Sequence, residues 1–224
     1  AGKDLTTGSN NVFVGREVGL EATTGGTNTA IGHQSYSAGS ASAATGSNNV
    51  AVGYAALYKA TTADSNVAIG QYAMLENTTG NSSVAIGKYA LDANTTADEN
   101  VAVGYYSLSA NTTGHSNVAV GKSSLAANTT ANYNVAVGLN ALAANTTASD
   151  NVAVGTAALG ANTTGVSNTA VGTNALDACT TGNYNVAIGA GSMTVSTTAA
   201  YNTCVGYNAG DTISSGEDNV CIGT

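Results

Sequence analysis

Asn66-Val67-Ala68-Ile69-Gly70 decides the reading of this chain, because the pentapeptide returns with little change from one end to the other. Its glycine stands at Gly15, Gly32, Gly53, Gly70, Gly87, Gly104, Gly121, Gly138, Gly155, Gly172, Gly189, Gly206 and Gly223. Eleven of the twelve intervals are 17 residues, and the interval Gly32 to Gly53 is 21. A fixed period of this size marks a stacked repeat in which one coil cannot bury its apolar face alone. The expected fold is all-β: a parallel β-solenoid of about 13 coils, with one long coil at 33–53. We read a single repeat domain, 1–224, with a partial lead-in at 1–10 and stacked coils over 11–224.

Aligned on the glycine, the idealised unit is N-V-A-V-G-x-x-A-L-x-A-N-T-T-G/A-x-x. The residue before each glycine is Val or Ile, and the one two positions earlier is Val or Thr. β-Branched residues flanking a small one predict a short strand with one face inward. We assign the two branched columns to the coil interior, joined there by Leu57, Met74, Leu91, Leu108, Leu125, Leu142, Leu159, Leu176 and Met193, four residues after the glycine. The glycine column implies a corner with either positive φ or close backbone approach. Two Asn columns, one opening the pentapeptide and one at Asn77, Asn94, Asn111, Asn128, Asn145 and Asn162, read as stacking ladders. The Asn-Thr-Thr triplets are also formal glycosylation sequons.

With the branched residues inside, the column between them must point out. It holds Phe13, Ala30, Ala51, Ala68, Ala85, Ala102, Ala119, Ala136, Ala153, Ala170, Ala187, Cys204 and Cys221. At about 4.8 Å per rung, thirteen coils would carry this small-residue stripe along roughly 60 Å. The five columns from Asn to Gly contain no charged residue. A stripe that flat and apolar is expected to be covered, and close packing against identical chains is the simplest cover. Cys204 and Cys221 fall in successive coils of this column, where they either pack as small hydrophobes or form a disulfide; Cys179 replaces an Asn in the second ladder.

S-V-A-I-G at 83–87, N-V-A-V-G or N-V-A-I-G in most other coils, and the seven-residue glycine beat at 32, 39, 46 and 53 resemble the YadA-like head repeats of trimeric autotransporter adhesins and related bacterial and phage fibres. The resemblance covers about residues 9–223; the 17-residue period is longer than the family's usual repeat. It implies a left-handed β-roll, a homotrimer, and display on a cell surface, anchored at the outer membrane or as an extracellular fibre, or else on a virion.

Composition excludes several other classes. Charged residues are 8% and the net charge is −8, so a phosphate-binding surface is absent and nucleic acid is not expected as a partner. No apolar run is long enough to insert in a bilayer, and the start Ala1-Gly2-Lys3 has no signal-peptide layout; without Met it reads as a fragment or processed product. Three cysteines at these spacings suit neither a disulfide framework nor a zinc motif. His33 and His115 have no carboxylate or cysteine at motif spacing and read as solvated corner residues, and no acidic column recurs as calcium rolls require. We therefore expect no enzyme, cofactor or metal.

A ligand surface must use the variable columns. Tyr72, Tyr89 and Tyr106 share one register beside Lys88 and Tyr105, where they either cover the flank as a ladder or contact a glycan or protein receptor. Tyr133, Tyr184 and Tyr201 share another. The functional expectation is a rigid fibre or adhesin segment that spaces or presents a binding surface for attachment. The alternatives are an ice-binding solenoid using the Thr and Ala columns, and a phage tail-fibre shaft.

Overall fold

Three-residue strands recur once per coil in the computed structural model, which describes residues 1–39 and 43–224. The chain forms two compact units, Ala1–His115 and Ser116–Thr224. The first holds β1 (Val12–Val14), β2 (Thr29–Ile31), β3 (Val50–Val52), β4 (Val67–Ile69), β5 (Val84–Ile86) and β6 (Val101–Val103). The second holds β7 (Val118–Val120), β8 (Val135–Val137), β9 (Val152–Val154), β10 (Thr169–Val171), β11 (Val186–Ile188), β12 (Thr203–Val205) and β13 (Val220–Ile222). Within each unit, successive strands pair in parallel and in register, Ala68 opposite Ala85 and Ala153 opposite Ala170, so each unit is a β-solenoid of the expected period. The period crosses from one unit to the other without a change in spacing. Residues 40–42 of the long coil at 33–53 lie outside the described residues.

The strand alternates as expected, but its inward and outward faces are exchanged. Ala85 and Ala153 are fully buried, whereas Ile86 and Val154 are 38% and 36% exposed. The alanine column therefore lines the interior of its own coil, and the Val/Ile columns face out. The assignment of Ala30, Ala51, Ala68, Ala85, Ala102, Ala119, Ala136, Ala153, Ala170 and Ala187, with Cys204, to an outward stripe between chains is corrected by their burial within one chain. Phe13 and Cys221, part-exposed in the first and last strands, sit in the same middle register.

The physical reason is volume. A regular coil already brings a Leu or Met, and two Asn side chains, into a space one coil wide, as with Leu159, Asn162 and Asn168, and all of these are buried. Close packing leaves room for only a methyl on the strand that faces them. The exceptions follow the same rule. Where the position four after the glycine is Gly19 rather than Leu, the strand carries Phe13, whose ring would lie 2.7 Å from a Cβ at Gly19. Where it is Gly210, the strand carries Cys204, with its Sγ 2.4 Å from the corresponding Cβ position. Phe13 also stacks on buried Tyr36 at 6.1 Å.

Two amide ladders run up the interior. Asn168 Nδ2 donates to Asn151 Oδ1 (3.2 Å) and to the Gly182 carbonyl (2.8 Å), and its own Oδ1 accepts from Asn185 Nδ2 (3.1 Å). In the second ladder Asn162 Nδ2 donates to Asn145 Oδ1 (3.1 Å) and to the Gly165 carbonyl (2.9 Å). Asn151 reaches that same carbonyl from the first ladder (2.9 Å), so one buried acceptor closes both. Buried amides satisfied this way avoid the penalty of an unpaired polar group. Full burial of Asn77, Asn94, Asn111, Asn128, Asn145 and Asn162 leaves no accessible acceptor amide in the folded sequons.

The turns carry unusual backbone. The corner glycine is at φ +136 in Gly155, and a Cβ there would lie 2.4 Å from the Gly172 carbonyl oxygen, so positive φ and close approach act together. Non-glycine residues are also left-handed two and four positions after it and just before the first Asn: Ala157 (φ 55), Leu159 (φ 49) and Ser167 (φ 56). Each costs about 1–2 kcal/mol, and the buried Leu offsets its share by about 2–3 kcal/mol of apolar burial.

The size rule is testable by a double-mutant cycle read by urea unfolding. Ala153→Phe is expected to cost about 1–3 kcal/mol through overpacking, and Leu159→Gly about 3–5 kcal/mol through the void it leaves. Together they should cost at least about 2 kcal/mol less than their sum; simple additivity would refute an interior shared by the two columns.

Candidate binding flank

The two residues after the corner glycine leave the coil at its edge, and in the first unit they build an aromatic stack. Tyr72 lies on Tyr89 (centroids 5.2 Å, planes 21°) and Tyr89 on Tyr106 (4.8 Å, 17°). Tyr54 meets Tyr72 edge-on at 5.1 Å, His33 meets Tyr54 at 5.3 Å, and Tyr105 closes the far end against Tyr106 at 4.4 Å. Lys88 Nζ stands 5.1 Å from the centre of the Tyr89 ring. The five expected flank residues, Tyr72, Lys88, Tyr89, Tyr105 and Tyr106, thus come together, and the stack extends to Tyr54 and His33. Those two share the column of Lys88 and Tyr105, directly after the corner glycine, where His33, Tyr54 and Gln71 show no repeat that would mark them.

Ring spacing this close to the rung distance uses up the inner ring faces. What remains open is a comb of ring edges and phenol oxygens. The hydrogen bond with Tyr54 raises the Tyr72 phenol above its ordinary pKa, with part burial adding to the rise, and burial raises that of Tyr106, so both hydroxyls stay neutral.

Charged groups flank the stack. Glu17 pairs with Arg16 Nη2 (3.1 Å) and His33 Nε2 (3.3 Å) and accepts from Gln34 Nε2 (2.9 Å); the His33 contact is the main reason its carboxyl sits below the usual range. His33, which has no carboxylate at motif spacing in the sequence, gains one because stacking brings a residue 16 positions away beside it. Lys59 Nζ contacts Glu76 Oε2 at 2.6 Å across one rung. Asp92 has a buried Oδ1 without a hydrogen-bond partner, as does Asp177 in the same column of the other unit. Burial pushes the Asp92 carboxyl up to about 6, with Glu76 adding to the rise.

In the second unit, Tyr184 and Tyr201 stack at 5.1 Å and 11° in the column that also holds Tyr133, and all three are exposed. Cys179, Cys204 and Cys221 are free thiols; burial pushes that of Cys204 up to about 11. His115 borders an open depression of about 310 Å³ with Thr96, Asp98, Glu99 and Thr113. Among the described residues no cluster of three His, Cys, Asp or Glu side chains is placed to hold a metal ion, and no helix is long and apolar enough to cross a membrane.

Compared with family models, curated proteins and solved structures, the chain finds no match.

A carboxyl whose pKa is raised by folding binds its proton more tightly in the folded state, so its contribution to stability falls as pH rises from about 4 to about 6 and stays low above that. Asp92→Asn should therefore raise Tm at pH 7 and leave it nearly unchanged at pH 4, in thermal melts followed by circular dichroism. An equal shift at both pH values would show that the ionised carboxylate carries no penalty.

Proposed function

We propose that this chain is a non-enzymatic fibre segment, a homotrimeric β-roll that stands off from an anchor on a cell surface or virion and presents a binding flank for attachment. The observation that carries the reading is the outward Val/Ile face. Val67 and Ile69 and their equivalents form two adjacent β-branched ranks, partly exposed from strand to strand, with no charge in the flanking columns. A contiguous apolar strip of this kind marks an association surface. Sister chains are its natural cover: a face with the same residue at every rung is self-complementary, and β-branched side chains interdigitate on a pleated surface. The contact is assigned to the Val/Ile columns, since the alanines are spent inside the coil. The left hand and the number three rest on the likeness of the N-V-A-V-G units to YadA-like head repeats.

Light scattering after size exclusion should give three times the 21.8 kDa chain mass at micromolar concentration. Ile69→Lys with Ile86→Lys should yield a monomer that keeps its β circular dichroism, since neither side chain enters the interior. A wild-type monomer would remove the trimer.

One observation favours ice binding as a second reading. The second threonine of each pair is exposed, from Thr62, Thr79 and Thr96 in one unit to Thr130, Thr147 and Thr164 in the other, while the first donates to the next rung, as Thr78 Oγ1 does to the Thr95 carbonyl at 3.0 Å. This gives a single outward rank. Thermal hysteresis lost on Thr147→Lys with Thr164→Lys would replace the fibre reading; on the fibre reading no hysteresis is measured.

A further inference from the structure

We infer that the tyrosine flank of the first unit is a binding surface for an extended, carboxylate-bearing polysaccharide laid along the stack of coils, with Lys88 as its cation and Tyr72, Tyr89, Tyr105 and Tyr106 as its hydrogen-bonding rank. The inference deepens the attachment reading above, on which it rests, by naming the chemical class of the ligand.

The first argument is that the fold does not require aromatics there. In the second unit the Tyr72 column continues as Ser123, Asn140, Ala157, Asn174, Gly191 and Asn208. The position is left-handed throughout, with φ +61, +58 and +55 at Tyr72, Tyr89 and Tyr106 and +57 at Asn140. Asn and Gly adopt that conformation readily, whereas a bulky aromatic does not. Three successive tyrosines thus occupy a place where smaller residues serve the coil equally well. Ser123 and Ala157 share that backbone as well, so the coil sets no size at this position and the run of tyrosines is not a packing requirement.

The second argument concerns what the stack offers. Its inner faces are turned to one another, so a ligand meets edges and phenol oxygens repeated at about the rung distance of 4.8 Å. A row of evenly spaced hydroxyls suits a linear ligand that is itself a row of hydroxyls, and the half-exposed, open flank suits a chain better than an enclosed small molecule. A protein partner would need a desolvated apolar centre, which this comb of hydroxyls lacks.

The third argument is charge. The chain carries five Lys and Arg against thirteen Asp and Glu. Arg16 and Lys59 are engaged by Glu17 and Glu76. Lys88 makes no ion pair among the described residues and stands over the Tyr89 ring on the exposed side. A cation held in place by an aromatic face, with its ammonium open to solvent, is poised for an anionic group on the bound chain.

The test titrates the whole chain with soluble oligogalacturonate and, separately, with cellohexaose and with gelatin, by calorimetry and by tyrosine fluorescence, which no Trp obscures. Oligogalacturonate should bind saturably and less tightly at higher salt. Lys88→Gln should weaken binding about tenfold and flatten the salt dependence, as loss of one charge-assisted contact implies. Tyr89→Asn, which suits the left-handed backbone, should weaken it comparably, and Tyr201→Asn should leave it unchanged. The inference is overturned by absence of binding, by equal affinity for cellohexaose, by saturable binding of gelatin in place of the uronate, or by Tyr201→Asn acting as strongly as Tyr89→Asn. A trimer that binds no uronate removes the ligand and leaves the fibre; a uronate-binding monomer removes the trimer and leaves the ligand.

Discussion

The interior of each coil is one side chain wide, and that fixed volume governs everything else in the molecule. Leu159 or its equivalent takes most of it, two Asn amides take the corners, and the strand across from them is left with a methyl. Where the Leu is absent, the strand enlarges, to Phe13 opposite Gly19 and to Cys204 opposite Gly210. A core this thin cannot adjust by shifting neighbours, because each neighbour is a backbone rung held by a parallel ladder. Packing is therefore settled coil by coil, by compensation between two positions six residues apart.

The same narrowness explains the polar interior. A stack of rungs buries carbonyls at its corners that no strand partner reaches, and the asparagine ladders supply the missing donors. Amides such as Asn162 and Asn168 spend one N–H on the neighbouring amide oxygen and the other on a corner carbonyl, and the columns of Asn151 and Asn162 meet at Gly165. The hydrogen bonds run along the stack axis as well as across it, which couples each coil to the next independently of the three-residue strands. Cys179, standing in one of these columns, keeps only a long contact from its Sγ to the Gly182 carbonyl at 3.7 Å.

What the interior expels forms the surface. The Val and Ile ranks are turned out because there is no space for them within, and an outward apolar face then invites a cover. The variable positions after the corner glycine are free of packing duty, so their chemistry differs between the two units: a tyrosine stack in one, asparagine and small residues in the other. Packing and surface chemistry are carried by different columns, and a change in one need not disturb the other.

Sequence alone determined the period, the parallel stacking, the corner glycines, the pairing of asparagines up the stack and the register of Tyr72, Tyr89 and Tyr106, because each of these is a repeat at fixed spacing and spacing is what a sequence records. It also determined that Ala68 and Ile69 face opposite ways. Which of them faces in was decided only by tertiary structure. Alternation specifies parity and leaves the sign open, and the sign depends on the space remaining after a leucine arrives from the other side of the coil. The clue was present in Phe13 with Gly19 and Cys204 with Gly210, as size exchanges that become meaningful once the two columns are known to share one cavity. The pairing of His33 with Glu17 was likewise decided by the fold, since contact between residues 16 positions apart follows from the pitch of the coil and from no local motif.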